Sequence, residues 1–181
     1  MDKWIVWDKK FEVGYKRIDD QHRELINIIN DLHAASELGD LYNSEARDKF
    51  KIVLKRTVDY ATYHFATEEK IMKAVHYKYF KEHISKHREF SSKVLENVIK
   101  YTNGENVDMD DFIVYLRDWL FSHIIGEDKN FVDELKNTLE KMKEHFCGDI
   151  ANAFAHKLSV PNQPRPTAKI KCHATQAVIH R

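Results

Sequence analysis

Residues 50–72 read FKIVLKRTVDYATYHFATEEKIM, and the spacing within that stretch decides the fold. Phe50, Leu54, Thr57, Ala61, Phe65, Glu68 and Met72 recur at steps of three and four, which places them on one face of a helix of about six turns. Ser44 stands where such a helix would be capped, and Leu38-Gly39-Asp40 supplies a break ahead of it. The stripe faces a core, yet it carries Glu68, with His64 one turn earlier. That conflict recurs in three other segments.

Working outward, Ile18, His22, Leu25, Ile29 and Leu32 form a similar stripe, with Asp19 in its first turn. A third runs Phe80, His83, His87, Phe90, Val94, Val98 and Tyr101, and Asn103-Gly104 closes it with a glycine signal. A fourth runs Phe112, Leu116, Trp119 and His123 and resumes at Phe131, Leu135 and Leu139, with Asp108, Asp110 and Asp111 at its positive end. Each segment holds about five turns or more, and the connections are short, so sequential helices are antiparallel neighbours. The expected fold is all-α: an antiparallel up-down-up-down four-helix bundle. Residues 1–17, with Trp4, Trp7, Phe11, Val13 and Tyr15, read as an N-terminal extended arm covering one end of the bundle with aromatic rings.

Composition agrees. Five glycines and three prolines in 181 residues suit a few long helices better than a many-stranded β fold. Lys plus Arg equals Asp plus Glu at 29 each, a balance that argues against nucleic acid or an acidic membrane as partner. No apolar run approaches the roughly 20 residues that span a bilayer. The N-terminus has no secretory pattern, and the two cysteines, Cys147 and Cys172, are no disulfide framework, so a cytoplasmic protein is expected.

Charge divides the chain. Residues 147–181 carry five bases (Lys157, Arg165, Lys169, Lys171, Arg181) against the single acid Asp149, and all three prolines. We therefore expect a bundle over 1–146 and a basic, Pro-containing, poorly ordered extension over 147–181. Ile150, Phe154 and Leu158 would give one short amphipathic helix in that extension. It is read as a solubilising segment, with docking on an acidic protein partner as the alternative. A monomer is expected.

The 11 histidines sharpen the functional question. His22, His64, His83, His87 and His123 lie on inner stripes, joined by Glu68 and Asp128. Burying so many ionisable groups unpartnered would cost several kcal/mol each, against a net domain stability of about 10 kcal/mol. A metal centre between the helices would satisfy them together. His64 with Glu68, and His83 with His87, are i, i+4 pairs that share a face. His123 and Asp128 are five apart, about 140° around an α-helix, so Gly126 between them is expected to permit a local π-type widening. His33, His76, His145, His156, His173 and His180 lack such partners and are expected to be solvated.

Seven ligands exceed what one zinc takes. No zinc-protease motif is present, no Glu precedes a His by three as in ferritin-type bundles, and no calcium loop occurs. A His-rich dinuclear transition-metal site remains, with iron the best fit.

These residues resemble the bacterial hemerythrins. The matching pieces are Trp7, Val13-Gly14, Ile18-Asp19-Asp20-Gln21-His22, His64-Phe65-Ala66-Thr67-Glu68-Glu69, His83-Ile84-Ser85-Lys86-His87 with Phe90, and Trp119 through His123 to Asp128, together spanning roughly 4–140. One departure lies in the turn between the second and third helices, where Tyr77 is followed by Lys78 instead of proline. The resemblance implies two Fe ions joined by an oxo or hydroxo bridge, with His83, His87 and His123 on one, His22 and His64 on the other, and Glu68 and Asp128 bridging. It leaves one open position, on the iron with two histidines, for O2. Phe65, Trp119, Leu120 and Ile124 are expected to wall an apolar O2 pocket. The function implied is reversible O2 binding for storage, transport or delivery, not catalysis. The alternatives are an oxygen, redox or NO sensing module and a di-iron oxidase or peroxidase.

Overall fold

The computed structural model describes residues 3–37, 44–105 and 107–145. The chain forms α1 (Lys16–Ser36), α2 (Ser44–Ala74), α3 (Phe80–Thr102), α4 (Met109–His123), a π-helical segment (Ile124–Asp128) and α5 (Lys129–His145). The last three run on as one rod, so four rods make an all-helical bundle in which α1 packs on α2 and α4, and α2 on α3. No helix among the described residues is long and apolar enough to cross a membrane. The expected helix at 150–158, the rest of the 147–181 extension, the break at 38–40 and the side chain of Ser44 lie outside the described residues.

The inner stripes bury as their spacing requires. Ile18, Leu32, Phe50, Met72, Phe131 and Leu135 are fully buried, and Trp119, Val98 and Leu139 pack half-buried at the margin. Asp108 caps α4 by accepting the amide of Asp111 at 3.0 Å. Gly104 closes α3 in the left-handed region, at φ +77°, and Glu105 N–H donates to the Lys100 carbonyl.

The arm departs from expectation. Instead of covering one end, it lies lengthwise beside α1 and the fourth rod, irregular but for a 3-10 turn (Lys9–Phe11) capped by Asp8. Trp4 stacks on His33 at 4.4 Å, with the Arg117 guanidinium 4.8 Å from the Trp4 ring. Asn30 exchanges two hydrogen bonds with the backbone of Ile5. Arg23 lies over the Trp7 ring, and Phe11 packs on Phe121. Asp19 then anchors the arm by accepting the amides of Val13 and Gly14 at 2.8 and 3.1 Å. His33, expected to be solvated, is half-buried because Trp4 needs a flat partner between α1 and α4.

The turn after α2 works without proline. His76 sits in the left-handed region at φ 53°. The amides of Tyr77 and His76 close back on the carbonyls of Met72 and Lys73, a Schellman arrangement that usually places glycine where His76 stands. A side chain there costs about 1–2 kcal/mol, partly offset by the greater unfolded-state freedom of glycine. His76→Gly is therefore expected to stabilise the fold by about 0.5–1 kcal/mol in chemical denaturation, with metal content unchanged.

Candidate metal centre

Every rod sends side chains to one interior region. His22 comes from α1, His64 and Glu68 from α2, His83 and His87 from α3, His123 from the end of α4 and Asp128 from the end of the π segment, and all seven are at most 3% exposed. The seven side chains named from the sequence as metal ligands are thus brought together.

The five-residue step from His123 to Asp128 is resolved by the backbone. In the π segment the Lys129 amide bonds to the Ile124 carbonyl five residues back, so the wider turn absorbs the excess rotation. Asp128 Oδ1 then lies 3.2 Å from His123 Nε2. Glycine is not what permits this: Gly126 has no positive φ, and a Cβ built on it would meet nothing within 4 Å. On the outer surface Lys86, between the two histidines of α3, pairs with Glu127 of the π segment and ties the two elements together.

A π turn is an α-helix with one residue added. Deleting Ile125, which is 45% exposed, restores i, i+4 spacing between His123 and the carboxylate and keeps Phe131 and Leu135 in phase. That deletion, like Gly126→Ala, is expected to preserve metal content and helicity. Deleting exposed Ser85 turns the rest of α3 by about 100° and should abolish metal retention; elemental analysis of the purified variants checks both.

The seven side chains divide into two overlapping groups, Glu68, His83, His87, His123 and Asp128 in one and His22, His64, Glu68 and Asp128 in the other. In the first, the Nε2 atoms of His83 and His87 are 3.1 Å apart and those of His87 and His123 are 3.0 Å apart. Adjacent ligands of an octahedral ion with bonds of about 2.1 Å are separated by about 3.0 Å. The carboxylates span the groups. Asp128 Oδ1 faces His83 and His123 at 3.3 and 3.2 Å while Oδ2 faces His22 at 3.1 Å. Glu68 Oε2 faces His87 at 3.3 Å while Oε1 faces His64 at 3.6 Å.

All four carboxylate oxygens, with Nε2 of His22 and of His64, are buried without a hydrogen-bond partner. Orphaned acceptors aimed into one space call for a cation, and the cluster fits a metal site. Charge points the same way. Burial and the charge of Asp128 push Glu68 up, but the opposing pull of His64, His83 and His87 outweighs them and holds it at about 2. Burial likewise opposes ionisation of Asp128, yet His123, His22 and His83 keep it well below the usual carboxylate range. Burial lowers His64 to about 4, so it is neutral and able to bind a metal. His83 is also pushed down by burial, but Asp128 and Glu68 raise it to about 9, so without a metal it takes up a proton in the metal's stead.

Three residues around the cluster were not singled out in the sequence. Gln21 Oε1 lies 3.1 Å from His64 Nδ1, Gln21 Nε2 lies 3.3 Å from Thr67 Oγ1, and Glu69 Oε1 lies 3.5 Å from His87 Nδ1. Gln21 and Thr67 are both buried. The signal for Gln21 was present: it fills a core position in the alternative stripe Ile18, Gln21, Leu25, Ile28, Leu32.

Phe65 stacks on His87 at 3.9 Å and Trp119 on His123 at 4.3 Å. With Leu120, Leu25, Ile29 and Ala61 they line a narrow cavity whose one polar side chain is Thr57. Ile124 does not line it. That residue is fully buried one turn beyond Leu120, past the cavity's end.

Residues 13–146 match the family model described as the hemerythrin HHE cation binding domain. The chain is 33% identical over 145 residues to a bacteriohemerythrin of Stenotrophomonas maltophilia, covering 80% of this chain and 90% of that one. Myohemerythrin-1 of Phascolopsis gouldii is 28% identical, over 72% of this chain and 93% of its own. Among solved structures, a wild-type hemerythrin crystal structure superposes with a TM-score of 0.67 at 27% identity, covering 73% of this chain and 98% of that one.

Proposed function

Because the chain belongs to the hemerythrin family, we infer that it binds O2 reversibly at a non-haem di-iron centre and serves to store, transport or deliver it. The observation that carries this reading is the asymmetry of the cluster, with three histidines on one side, two on the other, and both carboxylates facing each side. His83, His87 and His123 would hold one iron, His22 and His64 the other, with Glu68 and Asp128 bridging. Held by these residues, a pair of ferrous ions would supply the two electrons that reversible O2 binding requires. The poorer ligand set, on the His22–His64 side, leaves room for a diatomic ligand.

The surrounding residues favour a carrier. Phe65 and Trp119 seal the three-histidine side by stacking on the imidazoles, and the cavity walls give water little to bond to. Besides the seven, two titratable groups are buried among the described residues: Asp19, which is taken up by the arm's amides, and Tyr77, whose ring packs edge-on against His83 and Phe131.

The test is anaerobic loading with ferrous iron, then cycles of air and argon. We expect about two irons per chain and a visible charge-transfer band that forms in air and disappears under argon over repeated cycles. A colourless protein holding one zinc, or a band that never reverses, would overturn the reading.

A further inference from the structure

The hydrogen bonds behind His64 run in one direction. The Thr67 hydroxyl donates to the Tyr63 carbonyl at 2.9 Å. With its one hydrogen committed, Thr67 Oγ1 accepts from the Gln21 amide at 3.3 Å. That turns the Gln21 carbonyl oxygen toward His64 Nδ1, 3.1 Å away, where it can only accept. His64 must therefore carry its proton on Nδ1. Its Nε2 lone pair is left facing the cluster, where that nitrogen has no hydrogen-bond partner.

Three of the other histidines are held differently. Nδ1 of His22 and Nδ1 of His83 are buried without a hydrogen-bond partner, so nothing behind those rings selects a tautomer. His87 faces the half-buried carboxylate of Glu69. Behind His64 the structure shows a neutral, buried relay, and His64 lies on the side with fewer ligands. Loss of one nitrogen is felt most there. The opposite tautomer would place a hydrogen where an ion has to sit.

We propose that Gln21 and Thr67 are positioning residues that set His64 in its metal-binding tautomer before any ion arrives. The proposal rests on reading the cluster as the di-iron centre, but its first test needs no iron. In the full-length, metal-free protein, long-range proton–nitrogen NMR correlations of the imidazoles are expected to report His64 as the Nδ1–H form. Gln21→Leu removes the acceptor, and Thr67→Val frees the Gln21 amide to turn; each is expected to convert His64 to a mixture of tautomers or to the Nε2–H form. Gln21→Glu keeps an acceptor in place and is expected to retain Nδ1–H. In the iron-loaded protein, Gln21→Leu should release one of the two irons to a chelator about 10–100-fold faster, as second-layer losses typically do, while the other iron and the helical circular dichroism stay unchanged.

An Nδ1–H His64 in either Gln21→Leu or Thr67→Val overturns the relay, as does its loss in Gln21→Glu. Should Gln21→Leu not fold, Thr67→Val, which nearly conserves volume, decides the matter. A wild-type protein that takes up no iron refutes the proposed function, while the metal-free spectra still decide the tautomer.

Discussion

Replacing Glu68 by alanine empties the whole cluster, whereas replacing His64 by alanine strips one side of it. Glu68 Oε1 faces His64 and Oε2 faces His83 and His87, so this one carboxylate serves both groups. Its removal takes a carboxylate oxygen from each group and leaves a cavity where a fully buried side chain stood. Iron per chain is expected to fall to about a tenth of the parental value or less in Glu68→Ala, and to about half in His64→Ala, since single ligand losses cost at least the 10–100-fold seen for outer partners. Glu68→Asp should resemble the alanine variant, because a side chain one methylene shorter cannot reach both groups from the α2 backbone. Elemental analysis beside circular dichroism separates loss of metal from loss of fold. Equal iron contents in Glu68→Ala and His64→Ala would refute a spanning role.

Stripping the metal should lower the melting temperature by about 10–15 °C. Two ionised carboxylates and five imidazoles in one dry interior cost several kcal/mol without a counter-charge. The proton on His83 relieves only part of that. An ion bound at a thousandfold excess over its dissociation constant stabilises the folded state by about 4 kcal/mol, and each kcal/mol shifts the melting point of a chain this size by about 2–4 °C. Calorimetry before and after anaerobic chelation measures the difference, and refilling should restore the original transition. Identical melting curves for the two forms would mean that the seven side chains are content without an ion.

Much of this was legible in the sequence, because a bundle whose core is built from helical stripes announces itself through spacing. His22, His64, Glu68, His83, His87 and His123 stood out as polar residues in apolar registers, and all are buried together. Asp128 stood out of phase, and the π segment supplies the missing rotation; its place was foreseeable, but the reason was not glycine. The course of the arm was harder to read. Trp4 and Trp7 promised a hydrophobic cover, but where it would lie depended on Asp19, which takes the arm's amides, and on Asn30, Arg23 and Arg117, whose partners lie 16 to 113 residues away in sequence. Gln21, Thr67 and Glu69 escaped for a related reason: a polar contact behind a ring, direct from Gln21 and Glu69 and by way of Gln21 from Thr67, leaves no periodic trace. Ile124 was assigned to the cavity by adjacency to His123, while a cavity wall is set by which turn a residue occupies.

The wide turn at Ile124–Asp128 also has a genetic side. A helix pinned on both flanks by core residues cannot rotate, so almost anywhere else inside these helices the gain or loss of one codon would scramble a face and be removed by selection. At this segment the reading frame of the helix already holds a spare position, and a three-base deletion there resets the backbone to ordinary pitch without disturbing its neighbours. Length variation inside the helices of this lineage should therefore gather at this one place.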